Sequence, residues 1–488
     1  MEKGAGNYMV APKKDSIFSP PSIRYASIPA KKIAENAYRL DASAYNFDAL
    51  KAIELVEKNK NGFTYLWSKN GYVENSFYGP RAKREYINKK SDSIGFLGSA
   101  EMLELNPKPV KFISKSTKSD YGVDYSTILI SRSGTIGNTT FVSKTLTKFC
   151  VSEHAIRVVC NKNAGYVYAF LHSETGKIIL KSFTFGAVID EIEPEHLCKI
   201  PIPNSSEELK NKIDDFITSS FNKRDESNGL IDKAQTLLYS ALKLPLLAEI
   251  KPVYYNQNAG FKNFTIRAKD LDGRLDASYH LPEVTAIIDV LNQNAEKITK
   301  LSDKSIVSDI ILPGRFKRIY VDKENGIPFF GGKQLLQLCP TNLKYLSPKY
   351  HSGRIASELK IQKNMVIVSR SGTIGKVMIA PKHWEGSIVS EHNIRIVASS
   401  DNYAGYLYAW LDSPYAKPLI LRNTYGAVID ELDDIQMSNI IVPILQDKSS
   451  MQEINNLVLK ANNLRHEAYL EEQKALEIMN NDVLGVEK

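Results

Sequence analysis

The chain is poor in the residues from which most metal, redox and secreted scaffolds are built. Cysteine occurs four times in 488 residues, at Cys150, Cys160, Cys198 and Cys339, and never in CxxC spacing. That excludes a zinc knuckle or a CxxC redox pair, and it departs from the cysteine framework of small secreted domains. The four are read as reduced core thiols. Histidine occurs eight times, with no HExxH and no Cys/His cluster at zinc spacing, so neither a metal nor another cofactor is expected. No apolar run reaches the roughly 18 residues of a membrane span. The opening MEKGAGNYMVAPKKDSIFSP has no apolar core of the signal-peptide kind, so the expected compartment is cytoplasmic.

What is present is an ordinary globular composition with a mild basic excess. Lys and Arg number 63 against 55 Asp and Glu, a net charge of +8. An excess of that size permits a polyanionic partner without requiring one.

The chain is written twice. ILISRSGTIG at 128–137 returns as VIVSRSGTIG at 366–375, and VSEHAIRVV at 151–159 as VSEHNIRIV at 389–397. AGYVYAFL at 164–171 returns as AGYLYAWL at 404–411, FGAVIDEI at 185–192 as YGAVIDEL at 425–432, and RLDAS at 39–43 as 274–278. One long unit used twice is not a solenoid, whose period would be about 20–50 residues. Within each copy, β-rich runs such as TILIS and NIRIV predict mixed sheet with short helices, one of them over 164–180.

After IPIP (200–203) and IVPIL (441–445) the period changes from about two to about 3.5. Ile213, Ala234 and Ala241 share one heptad position, and Phe216, Leu230, Leu237 and Leu244 another. In the second copy Ile454, Ala461, Ala468 and Ala475 take one heptad position, and Leu457, Leu464 and Ile478 the other. Two long helices packing on each other would give this spacing, with alanines allowing close approach. An amphipathic helix lying on its own domain is the alternative. Ser220, Lys223, Ser227 and Glu471 interrupt the pattern, and Gly229 weakens the first helix. The expected fold is α+β: a first domain over 1–204 with an N-terminal arm, a spacer helix over 205–245, a second domain over 246–446 and a C-terminal helix over 447–488.

Three repeated motifs are candidates for chemistry. SRSGTIG leaves a strand through two glycines three apart, with Arg132, Ser133 and Thr135 in one copy and Arg370, Ser371 and Thr373 in the other. It reads either as a phosphate-contacting loop or as a structural turn needing positive φ. A nucleotide P-loop is excluded, because GTIGK at 372–376 is too short and Asn138 replaces Lys376 in the first copy. The SEH triplets (Ser152–His154 and Ser390–His392) are expected in strands, where neighbours alternate faces and cannot form a catalytic set. Asp190–Glu191 and Asp430–Glu431 read as capping or ion-pairing groups. The basic runs GPRAKREY and PGRFKRIY place Arg81, Lys83 and Arg84 opposite Arg315, Lys317 and Arg318, residue types suited to phosphate contact or solvated faces.

RLDAS, FKRIYV at 316–321, SRSGTIG, YGAVIDEL and a strand leading into a long helix, in order and twice over, resemble the DNA-specificity subunits of type I restriction–modification systems. The specificity polypeptides of type IIB and IIG systems share the design. The resemblance implies two target-recognition domains, each reading one half of a split double-stranded DNA site, held apart by two antiparallel helices. It also implies that those helices dock methyltransferase subunits, two in number, with restriction subunits joining them. PIPNSSEELKNKI and VPILQDKSSMQEI depart from the Pro-Leu-Pro-Pro segment common in the family where the helices start. The Asn/Asp-Pro-Pro-aromatic loop of an adenine methyltransferase is missing, Ser19-Pro20-Pro21-Ser22 being the nearest string. The sequence carries no nuclease, helicase or glycine-rich cofactor motif either, so a non-catalytic subunit is expected. A scaffold of another defence complex and a self-contained modification enzyme are the alternatives. If the halves read different sequences, shared residues hold the fold or grip phosphate and divergent ones read bases. The expected DNA contacts are Arg81, Lys83, Arg84, Arg132, Ser133 and Thr135, with Arg315, Lys317, Arg318, Arg370, Ser371 and Thr373 in the second copy. The divergent candidates are 60–78 and 105–122, against 296–311 and 338–358.

Overall fold

The structure, a computed structural model, describes residues 28–35, 40, 45–89, 91–134, 136–184, 191–247, 249–250, 263–426 and 430–486. Thr135, most of the first RLDAS copy, 185–190 and 427–429 lie outside them. The fold is α+β. Each half holds a four-stranded antiparallel sheet of the same topology. In the first half the strand order is Val73–Phe77, Ala155–Cys160, Ile128–Ser131, Thr139–Phe141. In the second it is Val307–Ile311, Asn393–Ala398, Val366–Ser369, Val377–Ile379. Even the irregularity in the edge strand recurs, at Val73/Asn75 and at Val307/Asp309.

A smaller sheet leans on each large one, in the first half through Lys111–Ser114, Ser93–Leu97 and Cys150–Val151. The motif arginines Arg157 and Arg395 make the joint. Each lies buried in a central strand, and Arg157 donates from Nη2 to the carbonyls of Val151 at 2.7 Å and Tyr121 at 3.0 Å. Burial lowers both guanidinium pKa values to about 10, and the carbonyls supply the acceptors a buried cation requires. The apolar helices Ala164–His172 and Asp401–Leu411 cover the large sheets, and both belong to the main cores.

Two long helices, Glu207–Ala241 and Lys448–Ile478, run antiparallel along each other. Ser220 Oγ donates to the Ala468 carbonyl at 2.7 Å, Arg465 Nε to Ser227 Oγ at 3.1 Å, and Lys233 pairs with Glu453 at 3.4 Å. The two serines that interrupt the heptads are thus fully buried contact points. The Ile454/Ala461/Ala468/Ala475 stripe is buried, but Phe216, Leu230 and Leu237 are only partly so, and Ile217, Ile231 and Leu238 take the inner face. Each helix packs on its partner and on both domains, which widens the buried face beyond a two-position seam. Ile213, Ile217 and Phe221 enter the first core together with Ala475 and Met479. Ile231 to Leu242 enter the second together with Met451 to Ala461. Glycine is required where the domain helices meet the long ones: a Cβ on Gly405 would lie 2.4 Å from the Asn455 carbonyl oxygen. Cys150 is buried, whereas Cys198 is exposed in the turn before Pro201 and is no core thiol.

At the middle of the molecule the fully buried Glu472 carboxylate accepts from Arg224 Nη2 at 2.6 Å, Tyr168 OH at 2.6 Å and Cys339 Sγ at 2.5 Å. A cavity of about 50 Å³ lies beside it. Burial pushes the carboxyl up, but Arg224 and the other donors outweigh it and hold the pKa at about 2. Because the folded pKa lies below the unfolded value of 4.5, this group's contribution is complete above about pH 4.5 and is lost as pH falls toward 2. Glu472→Ala, which strands Arg224, is expected to lower stability by about 3–5 kcal/mol in a denaturant titration, whereas Glu472→Leu with Arg224→Met is expected to recover most of it. An unchanged midpoint for the single variant would show that the pair does not hold the fold.

Candidate functional site

The repeated motifs, far apart in sequence, converge into one cluster in each half. SRSGTIG is the tip of the hairpin joining the third and fourth strands of the large sheet. Both its glycines have positive φ, at +76° and +79° for Gly134 and Gly137 and +73° for Gly372 and Gly375. A Cβ added at Gly134 or Gly372 would meet nothing, so the tip opens to solvent while its base is held. Arg132 N donates to the His154 carbonyl and Arg370 N to that of His392, each at 2.9 Å. Ile192 N and Leu432 N then return to the carbonyls of Arg132 and Arg370. Each motif arginine is therefore clamped between the SEH segment and the segment after Asp-Glu.

The side chains repeat the pattern. Arg132 Nη2 meets Glu191 at 2.8 Å and Glu193 at 2.5 Å, and its Nε donates to the Ile192 carbonyl at 3.3 Å. Arg370 Nη2 meets Glu431 at 2.8 Å, with Nε on the Leu432 carbonyl at 2.6 Å. The basic loops reach the same carboxylates: Arg81 lies 3.4 Å from Glu191, and Arg315 2.6 Å from Glu431. Arg84 pairs with Glu153 and Arg318 with Glu391. Ser133 Oγ lies 2.7 Å from His154 Nδ1, and Ser371 Oγ 2.7 Å from His392 Nδ1. Burial pushes the Glu431 carboxyl up, but Arg370 and Arg315 outweigh it and keep it below the usual range.

Two sequence expectations change here. The SEH triplets are turns between strands, not strands. Their histidines therefore turn back onto serines from another motif, and an alternation argument does not apply to them. Arg132 and Arg370 are almost fully buried, with their donors directed at protein acceptors, so their side chains brace the loop. The solvent-facing cations are Lys83, Lys317, Arg81 and Arg315. Ser133 and Ser371 are half-buried, and Thr373 is exposed. Glu191 and Glu431 are ion-pairing groups. The partnership of Glu153 and Glu391 with the basic loops had no local signal, since partner and motif are about 70 residues apart. Among the described residues no group of three or more His, Cys, Asp or Glu is placed to hold a metal ion, and no helix is long and apolar enough to cross a membrane.

No family model and no curated protein matches the chain. Among solved structures it is similar to the S subunit of a type I restriction–modification system from M. genitalium. There the identity is 12%, 86% of this chain and 98% of that one are covered, and the TM-score is 0.31. It is similar also to the HsdS subunit from Thermoanaerobacter tengcongensis, at 11% identity, 86% and 99% coverage and a TM-score of 0.26. A chain from a structure on the complex assembly and conformational transition of the type I R-M system gives 13%, 79% and 90% coverage, and 0.26.

The bracing role separates the cations experimentally. Arg370→Ala removes a buried partner of Glu431 and is expected to cost about 3 kcal/mol, read as a lowered melting temperature. Lys317→Ala, on an exposed loop, is expected to stay within about 0.5 kcal/mol of the parent. Equal losses for both would remove the distinction.

Proposed function

We propose that this chain is the DNA sequence-specificity subunit of a restriction–modification complex. It reads a bipartite double-stranded DNA site with two target-recognition domains and acts in the cytoplasm. The reading rests on one observation above all: the same seven-residue cluster, fronted by an exposed basic loop and a glycine hairpin tip, is built twice on a pseudo-twofold frame. Two equivalent basic sites on one chain match the repeat of a DNA duplex as two half-sites. Lys83, Lys317, Arg81 and Arg315 are assigned to phosphates, with the hydroxyls of Ser133, Ser371, Thr135 and Thr373 and the backbone amides at the tips assisting. Arg84, Arg318, Arg132 and Arg370 position these loops through their carboxylates. Residues common to both halves can hold the backbone alike whatever the sequence, which is the work of phosphate contacts.

On this reading the long helices set the spacing of the half-sites and carry two methyltransferase subunits, with restriction subunits joining the assembly, and the chain itself performs no chemistry. The first long helix has 35 residues and is about 52 Å long, which corresponds to about 15 base pairs.

The test is a base-modification map of the host genome with and without the gene. Loss of methylation at one bipartite motif is expected, and an unchanged map with the methyltransferase expressed would remove the proposal. Lys317→Ala is expected to weaken binding on all sequences alike and to reduce the salt slope of log affinity by about one. One heptad inserted into both helices adds about 10 Å and is expected to lengthen the preferred spacer by about three base pairs. An unchanged spacer would refute the ruler.

A further inference from the structure

Beside the first cluster lies a pocket of about 330 Å³ whose floor and rim differ in kind. The floor is common to both halves. Arg84 lies over the Phe96 ring at 5.2 Å, and Arg318 over Phe329 at 5.3 Å. Lys111 stands 5.3 Å from the Tyr86 ring, and Lys344 5.0 Å from Tyr320. The register confirms the equivalence, because Phe96 pairs with Lys111 across the small sheet as Phe329 pairs with Lys344.

The rim diverges. After the shared Gly98 and Gly331, the first half has Ser99, Ala100 and Glu101 where the second has Gly332, Lys333 and Gln334. Before Lys111 stands the exposed Val110, where the second half has Leu343. Glu101 and Gln334 are held alike: Gly98 N donates to Glu101 Oε2 at 3.0 Å and Gly331 N to Gln334 Oε1 at 3.2 Å. Each side chain is thus fixed by one oxygen to its own loop, and the two differ at the remaining atom: a carboxylate oxygen in Glu101, and in Gln334 an NH2 that gives one hydrogen to the Thr341 carbonyl at 3.4 Å and keeps the other. An oxygen accepts from a base amino group, whereas an NH2 donates to a base carbonyl or ring nitrogen. By contrast 63–65 and 297–300, within the other divergent segments, pair with the strands that lead into the long helices.

We propose that Glu101 and Gln334 are base-reading residues of the two halves, Glu101 selecting a base that presents an amino donor and Gln334 one that presents an acceptor, with Val110 and Leu343 as apolar neighbours. This rests on the DNA-specificity reading and narrows it to two short rims.

The experiment is selection from a randomised duplex pool by the purified chain together with the subunits that co-purify with it, using the parent, E101Q and the rim exchange S99G/A100K/E101Q/V110L. E101Q is expected to reduce preference at one position of one half-site about tenfold. The rim exchange is expected to rewrite that half-site and to leave the other half-site as in the parent, and E101Q alone, which adds no cation, is expected to keep the parental salt slope. A parental motif enriched by the rim exchange would overturn the assignment while leaving the specificity reading intact. A parent that enriches no motif and binds without salt dependence would overturn both.

Discussion

A single carboxylate, that of Glu472, holds four parts of the chain in register. It stands on the second long helix and accepts from the first helix through Arg224, from the first domain through Tyr168, and from a second-domain loop through Cys339. A buried charge is tolerable only when its partners are already in place. The position of each partner is therefore conditional on the others, and so is the placing of both domains along the helices.

The pseudo-symmetry is broken where it meets this centre. Arg224 and Arg465 occupy equivalent turns of the long helices, as do Asp214 and Asn455, each of which accepts the backbone amide of a domain-helix glycine. At the position of Glu472, however, the first helix carries Ile231, and Arg465 contacts Ser227 Oγ and the Met378 sulfur instead. The second domain compensates with a tie from the first: Lys108 pairs with Asp412 at 2.5 Å. The halves share a fold and differ in the electrostatics that join them, which gives the chain a defined first and second end.

The same division runs through the candidate sites. What repeats is a buried brace, the clamped Arg132 and Arg370 with their carboxylates, and the exposed cations Arg81, Lys83, Arg315 and Lys317 that it carries. What diverges lies beside them, on rims that the repeated floor supports. A recognition surface built this way can change its target by a few exposed residues without disturbing the buried ion pairs, since surface changes cost little and buried pairs cost several kcal/mol.

The duplication, the positive-φ glycines of SRSGTIG and the alanine stripe of the second long helix were all legible in the amino-acid sequence, because each is a local or periodic demand of the backbone. The first helix was read less well: Ile217, Ile231 and Leu238 line it rather than Phe216, Leu230 and Leu237, since packing against two domains as well as a partner is invisible to a heptad count. Arg132 and Arg370, candidates for phosphate contact in the sequence, are buried braces in the fold for a similar reason. Whether a cation meets solvent or a carboxylate depends on Glu191 and Glu431, some 60 residues away, and only the tertiary fold brings them within hydrogen-bond distance. Local sequence determined which segments turn, pair and coil; the long-range burial of charge decided which of the repeated residues face outward.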